Sequence, residues 1–236
     1  MNGTPKTLRV LSAGAAQAVT ERTIEAFERD TSVQVTASFG AVGAMKARVT
    51  AGEPVDVITL TRAMIEELAV TGLVQPGSRF DLGTVGTGVA VQVAAPRPQI
   101  ADADALRSAV LAATRIVCPD PAIATAGKVV MSLMEKLGVL AEVRSRMQLF
   151  PNGYAAMAWL AASNERGAMG ITQVTEILPN TGVAYVGPLP DEFQMKTVYS
   201  AAVAAKSAHA ALAHDFVQRF AAPTGRAMLI DAGYEL

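Results

Sequence analysis

Short apolar runs alternate along the whole chain with segments whose apolar positions recur at helical spacing. That pattern predicts an α/β protein with mainly parallel strand pairing. Leu8–Leu11 reads as a first strand, followed by a helix with Val19, Thr23, Ile24 and Phe27 on one face. VQVTASF alternates at Val33, Val35, Ala37 and Phe39 and reads as a second strand. VDVITL, Val55–Leu60, is a third, and its helix follows through Met64, Ile65 and Leu68. QPGSRFDLG reads as a loop before the apolar run GVAVQVAAP.

From Asp102 a second set begins, with DADALRSAVLAA a helix capped by Asp102. RIVCP is a strand, and TAGKVVMSLMEKLG a helix closed by Gly138. MQLF, AMGI, VAYVGPLP and TVYSAAVAA read as strands; NGYAAMAWLAAS and the short QVTEILP read as helices. SAHAALAHDFVQRFA and PTGRAMLIDAG are expected as two closing helices. The order predicts two Rossmann-like lobes, residues 1–86 with 200–236 and residues 87–199. Ligands of open α/β sheets bind beyond the carboxyl ends of the strands, so the expected site is a cleft between the lobes.

Four strand-to-helix loops carry small residues: Ser12-Ala13-Gly14-Ala15, Gly40-Ala41-Val42-Gly43, Ala124-Thr125-Ala126-Gly127 and Asn152-Gly153-Tyr154. Helix N-termini present unsatisfied N–H groups and a positive dipole end, the chemistry of an anion seat. Tight turns alone also select small residues, so it is the repetition that carries the reading. Thr61 and Arg62 close the third strand, and Arg62 either forks onto a carboxylate or starts a helix in solvent. Lys128 has the same two readings. Thr172 and Gln173 follow AMGI and offer uncharged hydrogen bonds, while Tyr154 offers a phenol. Glu176 reads as a helix-surface carboxylate or as a base for an allylic proton shift, and Lys46 as a solvated lysine.

Among 236 residues, 51% are hydrophobic and 17% charged, with a formal net charge of −1. A chain so balanced has no basic field for nucleic acid, and no apolar run in it is long enough to insert in a membrane. Cys118 is the sole cysteine and reads as a core thiol; His209 and His214 lie five apart, off the spacing of a helical metal pair. No cofactor and no metal are expected. An aromatic content of 5% speaks against a sugar cleft. The opening MNGTPKTLRV has no secretory pattern, so a cytoplasmic chain is expected, or a periplasmic one if a signal peptide has been removed. A monomer is expected.

LRVLSAGAAQAV, SFGAVGAMKARVTAGEPVDVITLT, PDPAIATAGKVVMSLMEKLGV and GAMGITQ resemble the bacterial solute-binding proteins of the molybdate-binding type. The resemblance implies a type II periplasmic binding protein fold, two lobes hinged over a small anion, and delivery to an ABC transporter permease. Molybdate binders of this type place serine hydroxyls in the first two loops and a tyrosine after the late strand. Here Ala15 stands at the first position, the second loop reads GAVGA, and Gln173 replaces the tyrosine. The cage is thus more apolar, which points to an organic polycarboxylate. ITQVTEILPNTGVAYVGPLPDEFQMKTVYSAAV further resembles the branch that includes aconitate isomerase, which leaves an isomerase as the alternative.

Overall fold

The computed structural model of the chain describes residues 7–236. It divides into two compact units, one formed by the residues up to Thr84 with Val198–Leu236, the other by Val85–Thr197. The first opens with β1 (Thr7–Ala13), a 3-10 turn at Gly14–Ala16, α1 (Gln17–Thr31), β2 (Gln34–Gly40) and α2 (Val42–Thr50). It continues through β3 (Val57–Thr61), α3 (Arg62–Val70) and β4 (Phe80–Val85). The second unit begins with β5 (Thr87–Gln92), α4 (Ala103–Ala112), β6 (Arg115–Pro119), α5 (Thr125–Lys136) and α6 (Leu140–Val143). β7 (Met147–Phe150), α7 (Gly153–Ala162), β8 (Ala168–Gln173), α8 (Val174–Ile177) and β9 (Val183–Pro188) complete it. The chain then rejoins the first unit in β10 (Thr197–Val203), α9 (Ala210–Ala221) and α10 (Pro223–Asp231).

Each unit is built on a five-stranded sheet, ordered β2-β1-β3-β10-β4 in the first and β7-β6-β8-β5-β9 in the second. Pairing is mixed, which corrects the expectation of mainly parallel strands. β1 lies parallel to β2 and β3, and β6 to β7 and β8. β10 runs antiparallel to β3, and β5 antiparallel to β8 and β9. β5 and β10 are the first strands after the chain passes from one unit to the other, so neither follows the crossover helix that a parallel neighbour needs.

QPGSRFDLG also departs from expectation, since its end forms β4. Its polar residues suit the edge place that β4 takes in its sheet. Gly83 there adopts φ 137°, and a Cβ on it would lie 2.7 Å from the Glu235 carbonyl. Thr84 and Glu235 exchange two backbone hydrogen bonds, of 2.7 and 2.9 Å.

In the first unit the core gathers Leu8, Ile58 and Leu60 with Phe27, Phe216 and Phe220, all fully buried. Phe216 meets Phe27 and Phe220 edge-on at 5.4 and 5.9 Å between ring centroids. Buried Asp56 accepts from the Arg9 N–H at 2.8 Å and the Ser207 hydroxyl at 2.6 Å, tying β1 to the segment after β10. In the second unit Ile116, Val130, Leu133, Met134 and Ile171 pack around Cys118. Burial pushes the Cys118 thiol up to about 12, as befits an inert core sulfur. Asp102 caps α4 by accepting from Ala105 N–H at 2.8 Å, and Gly138 ends the α5 segment at φ 66°. Among the described residues no helix is long and apolar enough to cross a membrane.

Candidate functional site

Parallel pairing brings candidate residues to one edge of each sheet. In the first unit Ala13 lies opposite Gly40 and Ser12 opposite Thr59, so β1, β2 and β3 all end at that edge. There stand the Ser12–Ala15 loop, Gly40 to Gly43, and Thr61 with Arg62. In the second unit Pro119 lies opposite Phe150, and β8 runs parallel to β6. Thr125 to Lys128, Asn152 to Tyr154, and Thr172 with Gln173 share its carboxyl edge.

The helix N-termini at these edges fall into two kinds. The residues preceding α1, α2 and α5 are Ala16, Ala41 and Ala124, and none supplies a side-chain cap. The first-turn N–H groups of α2 and α5 therefore carry the anion-seeking chemistry themselves; ahead of α1 that place falls to the Gly14–Ala16 turn, since the Gln17 N–H already donates to the Gly14 carbonyl. Ser12 adds no hydroxyl, because its Oγ is fully buried, donates to the Ala13 carbonyl at 3.2 Å and lies 3.4 Å from Thr20 Oγ1. Gly127 is required by close approach, since a Cβ there would sit 2.4 Å from the Pro119 carbonyl. By contrast, Thr61 accepts from Met64 N–H at 3.4 Å and caps α3, and Asn152 accepts from Ala155 N–H at 2.8 Å and caps α7.

Cationic candidates also separate. Arg62 is 42% exposed and directs Nε and Nη2 at one oxygen of Asp81, each at 3.2 Å. The other Asp81 oxygen accepts from Ser200 Oγ at 2.7 Å and lies 3.3 Å from Arg79 Nε. Lys46 pairs with Glu67. Lys128 is exposed, and its ammonium has no hydrogen-bond partner among the described residues.

Glu176 is not the surface carboxylate that its helix position suggests. It is 4% exposed, and its side chain turns back onto the start of α7. Gly153 N–H donates to Oε1 at 3.1 Å and the Thr172 hydroxyl to Oε2 at 2.6 Å. The backbone N–H groups of Tyr154 and Gln173 lie close enough to favour its charged form as well. Burial pushes its pKa up to about 6, against the opposing pull of these four groups. A Cβ on Gly153 would lie 2.0 Å from Oε2, so glycine is what admits the carboxylate. Thr172 and Gln173 are buried too, at 0 and 3% exposure.

Sequence reasoning missed three further residues at these edges. Asp81 anchors Arg62 from β4. Tyr234, near the C-terminus, donates its hydroxyl to the Ala15 carbonyl at 3.1 Å. Gln194 accepts from Thr87 N–H at 3.0 Å and donates to the Thr87 carbonyl at 2.7 Å, completing the backbone pairing at the start of β5. Each is joined to its partner across a long stretch of chain, so no local pattern announces it.

Residues 8–235 match the family described as bacterial extracellular solute-binding protein. The chain belongs to that family. As a solute-binding protein it shares 27% identity over 234 residues with the aconitate isomerase of a Pseudomonas species, covering 96% of this chain and 87% of the relative. The periplasmic molybdate-binding protein of Azotobacter vinelandii has the same fold, with a TM-score of 0.79, 23% identity, and 97% and 99% of the two chains covered. The sulfate-binding protein SubI of Mycobacterium tuberculosis superposes with a TM-score of 0.71 at 20% identity, over 97% of this chain and 86% of its own.

Proposed function

We propose that this solute-binding protein takes a small organic polycarboxylate, for which the uncapped turn leading into α1 and the uncapped first turns of α2 and α5 offer backbone N–H groups. The observation that carries the reading is the absence of a side-chain cap at these three helix starts, combined with alanine and glycine where hydroxyls would complete a tight inorganic cage. Carboxylate oxygens suit such seats, and their larger spacing suits an apolar lining. Arg62 supplies a planar fork for a further carboxylate. Kinship over 96% of the chain with an enzyme named for a tricarboxylate supports the same ligand class. The protein would act as a periplasmic monomer handing its ligand to an ABC transporter permease.

A second reading, isomerisation of aconitate, is favoured by that same kinship. It needs a proton-transfer group facing the substrate. Glu176 does not serve, because both of its oxygens are taken up inside the fold; the Tyr154 phenol and the Lys128 ammonium are the remaining candidates. Calorimetric titration with citrate and trans-aconitate tests the carrier reading, and conversion of cis-aconitate followed by proton NMR tests the enzyme. Binding without conversion identifies a carrier; catalytic turnover establishes the isomerase.

A further inference from the structure

The start of α7 is filled from within. α1, α2 and α5 begin without a side-chain partner, whereas the first N–H groups of α7 already face a carboxylate, that of Glu176. Three features make this a built arrangement. Glu176 is buried, both oxygens have assigned donors, and Gly153 leaves the space that any Cβ would close. Asn152 caps the same helix through Ala155 N–H, so two side chains divide the orphan donors of one first turn.

We infer that Glu176 is a built-in occupant of the α7 anion seat and thereby a specificity-determining residue, one that withholds this helix start from the ligand and sets a negative charge beside it. The inference rests on the proposed binding of an organic anion. An anion approaching this edge of the sheet meets a helix dipole already compensated, so seats of full strength remain only at α1, α2 and α5. The charge count of the preferred ligand is lowered accordingly.

Protonation modulates this effect. β5, β8, β9 and α7 pack against α8. The titratable groups they carry are Tyr154 on α7 and Tyr185 on β9, and none of them brings a charged side chain. The charge on Glu176 is therefore set by its own proton, with a midpoint near pH 6.

Two variants test the inference. Glu176→Gln keeps the shape and an acceptor for Gly153 but removes the charge. Binding of trans-aconitate to both proteins is measured by calorimetry at pH 8 and pH 5, so that titration of the ligand itself cancels in the ratio. The expected result is affinity about five-fold tighter than native at pH 8, with the two proteins converging at pH 5. A ratio of one at both pH values, or the same ratio at both, overturns the specificity role. Glu176→Ala opens the seat, and acetate should then raise its melting temperature by about 2–4 °C more than that of native protein or the glutamine variant. An alanine variant no more responsive to acetate than native protein overturns the occupancy. If trans-aconitate does not bind, the proposed function fails, and the acetate measurement still judges the seat.

Discussion

Arg62 and Asp81 stand 19 residues apart in sequence and meet through two guanidinium nitrogens directed at one carboxylate oxygen. The pair holds the arginine at the carboxyl edge of the first unit's sheet while leaving it 42% exposed. An arginine so placed can share its fork with an incoming carboxylate, and a pair so exposed adds little to stability.

Arg62→Ala should therefore weaken polycarboxylate binding by about 1.5–3 kcal/mol, the scale of a hydrogen bond to a charged group. The melting temperature should stay within a degree or two of native. Arg62→Lys should recover little of the loss, because an ammonium lacks the planar fork. Calorimetric titration of the three proteins reads this directly, and unchanged affinity in the alanine variant removes Arg62 from the site.

Gly153→Ala should destabilise the second unit. The added methyl would lie 2.0 Å from Glu176 Oε2 and 2.1 Å from Thr172 Oγ1, both held by hydrogen bonds inside the fold. The cost expected for such overpacking is about 1–3 kcal/mol, measured as a shift in the urea midpoint.

Stability should respond to pH through Glu176 with a sign opposite to that of a salt-bridged carboxylate. Its folded-state pKa is raised from 4.5 to about 6. Between those values the folded protein holds the proton more tightly than the unfolded chain, so falling pH favours folding. Native protein should gain about 2 kcal/mol relative to Glu176→Gln as pH falls from 7.5 to 4. Exposed Asp30 and half-buried Glu53, lowered by Arg219 and Arg48, act the other way and cancel in the difference between the two proteins. Paired urea titrations across this range check it, and a difference independent of pH contradicts it.

Tyr234→Phe should cost about 1 kcal/mol, since it removes the hydrogen bond that the hydroxyl donates to the buried Ala15 carbonyl at 3.1 Å. The same substitution should loosen the first anion seat and weaken ligand binding. Faster hydrogen exchange of the Gly14 to Gln17 amides would register that loosening.

The alternation of strand and helix patterns was enough to read the α/β class, the small-residue loops and the caps at Asp102 and Gly138. Pairing direction was less legible, because whether β5 and β10 lie parallel to their neighbours depends on where the chain changes unit. Glu176 shows the limit most sharply. In VTEI it has the look of a surface helix residue, and its burial is decided by Gly153, 23 positions earlier, which lets the α7 start close over it. Asp81 lies in a segment too polar to read as a strand. Tyr234 reaches Ala15 across 219 residues, a contact that only the folded chain creates.

The measurement that bears most directly on the proposed polycarboxylate ligand is thermal unfolding with molybdate, tungstate, sulfate, phosphate, citrate and both aconitate isomers. A ligand present at about 100 times its dissociation constant should add about 2.7 kcal/mol to the folded state. Stabilisation by citrate or an aconitate isomer, with molybdate and sulfate inert, is the expected result. Stabilisation by molybdate, tungstate or sulfate with the tricarboxylates inert would contradict it and return the backbone seats of α1, α2 and α5 to an inorganic oxyanion.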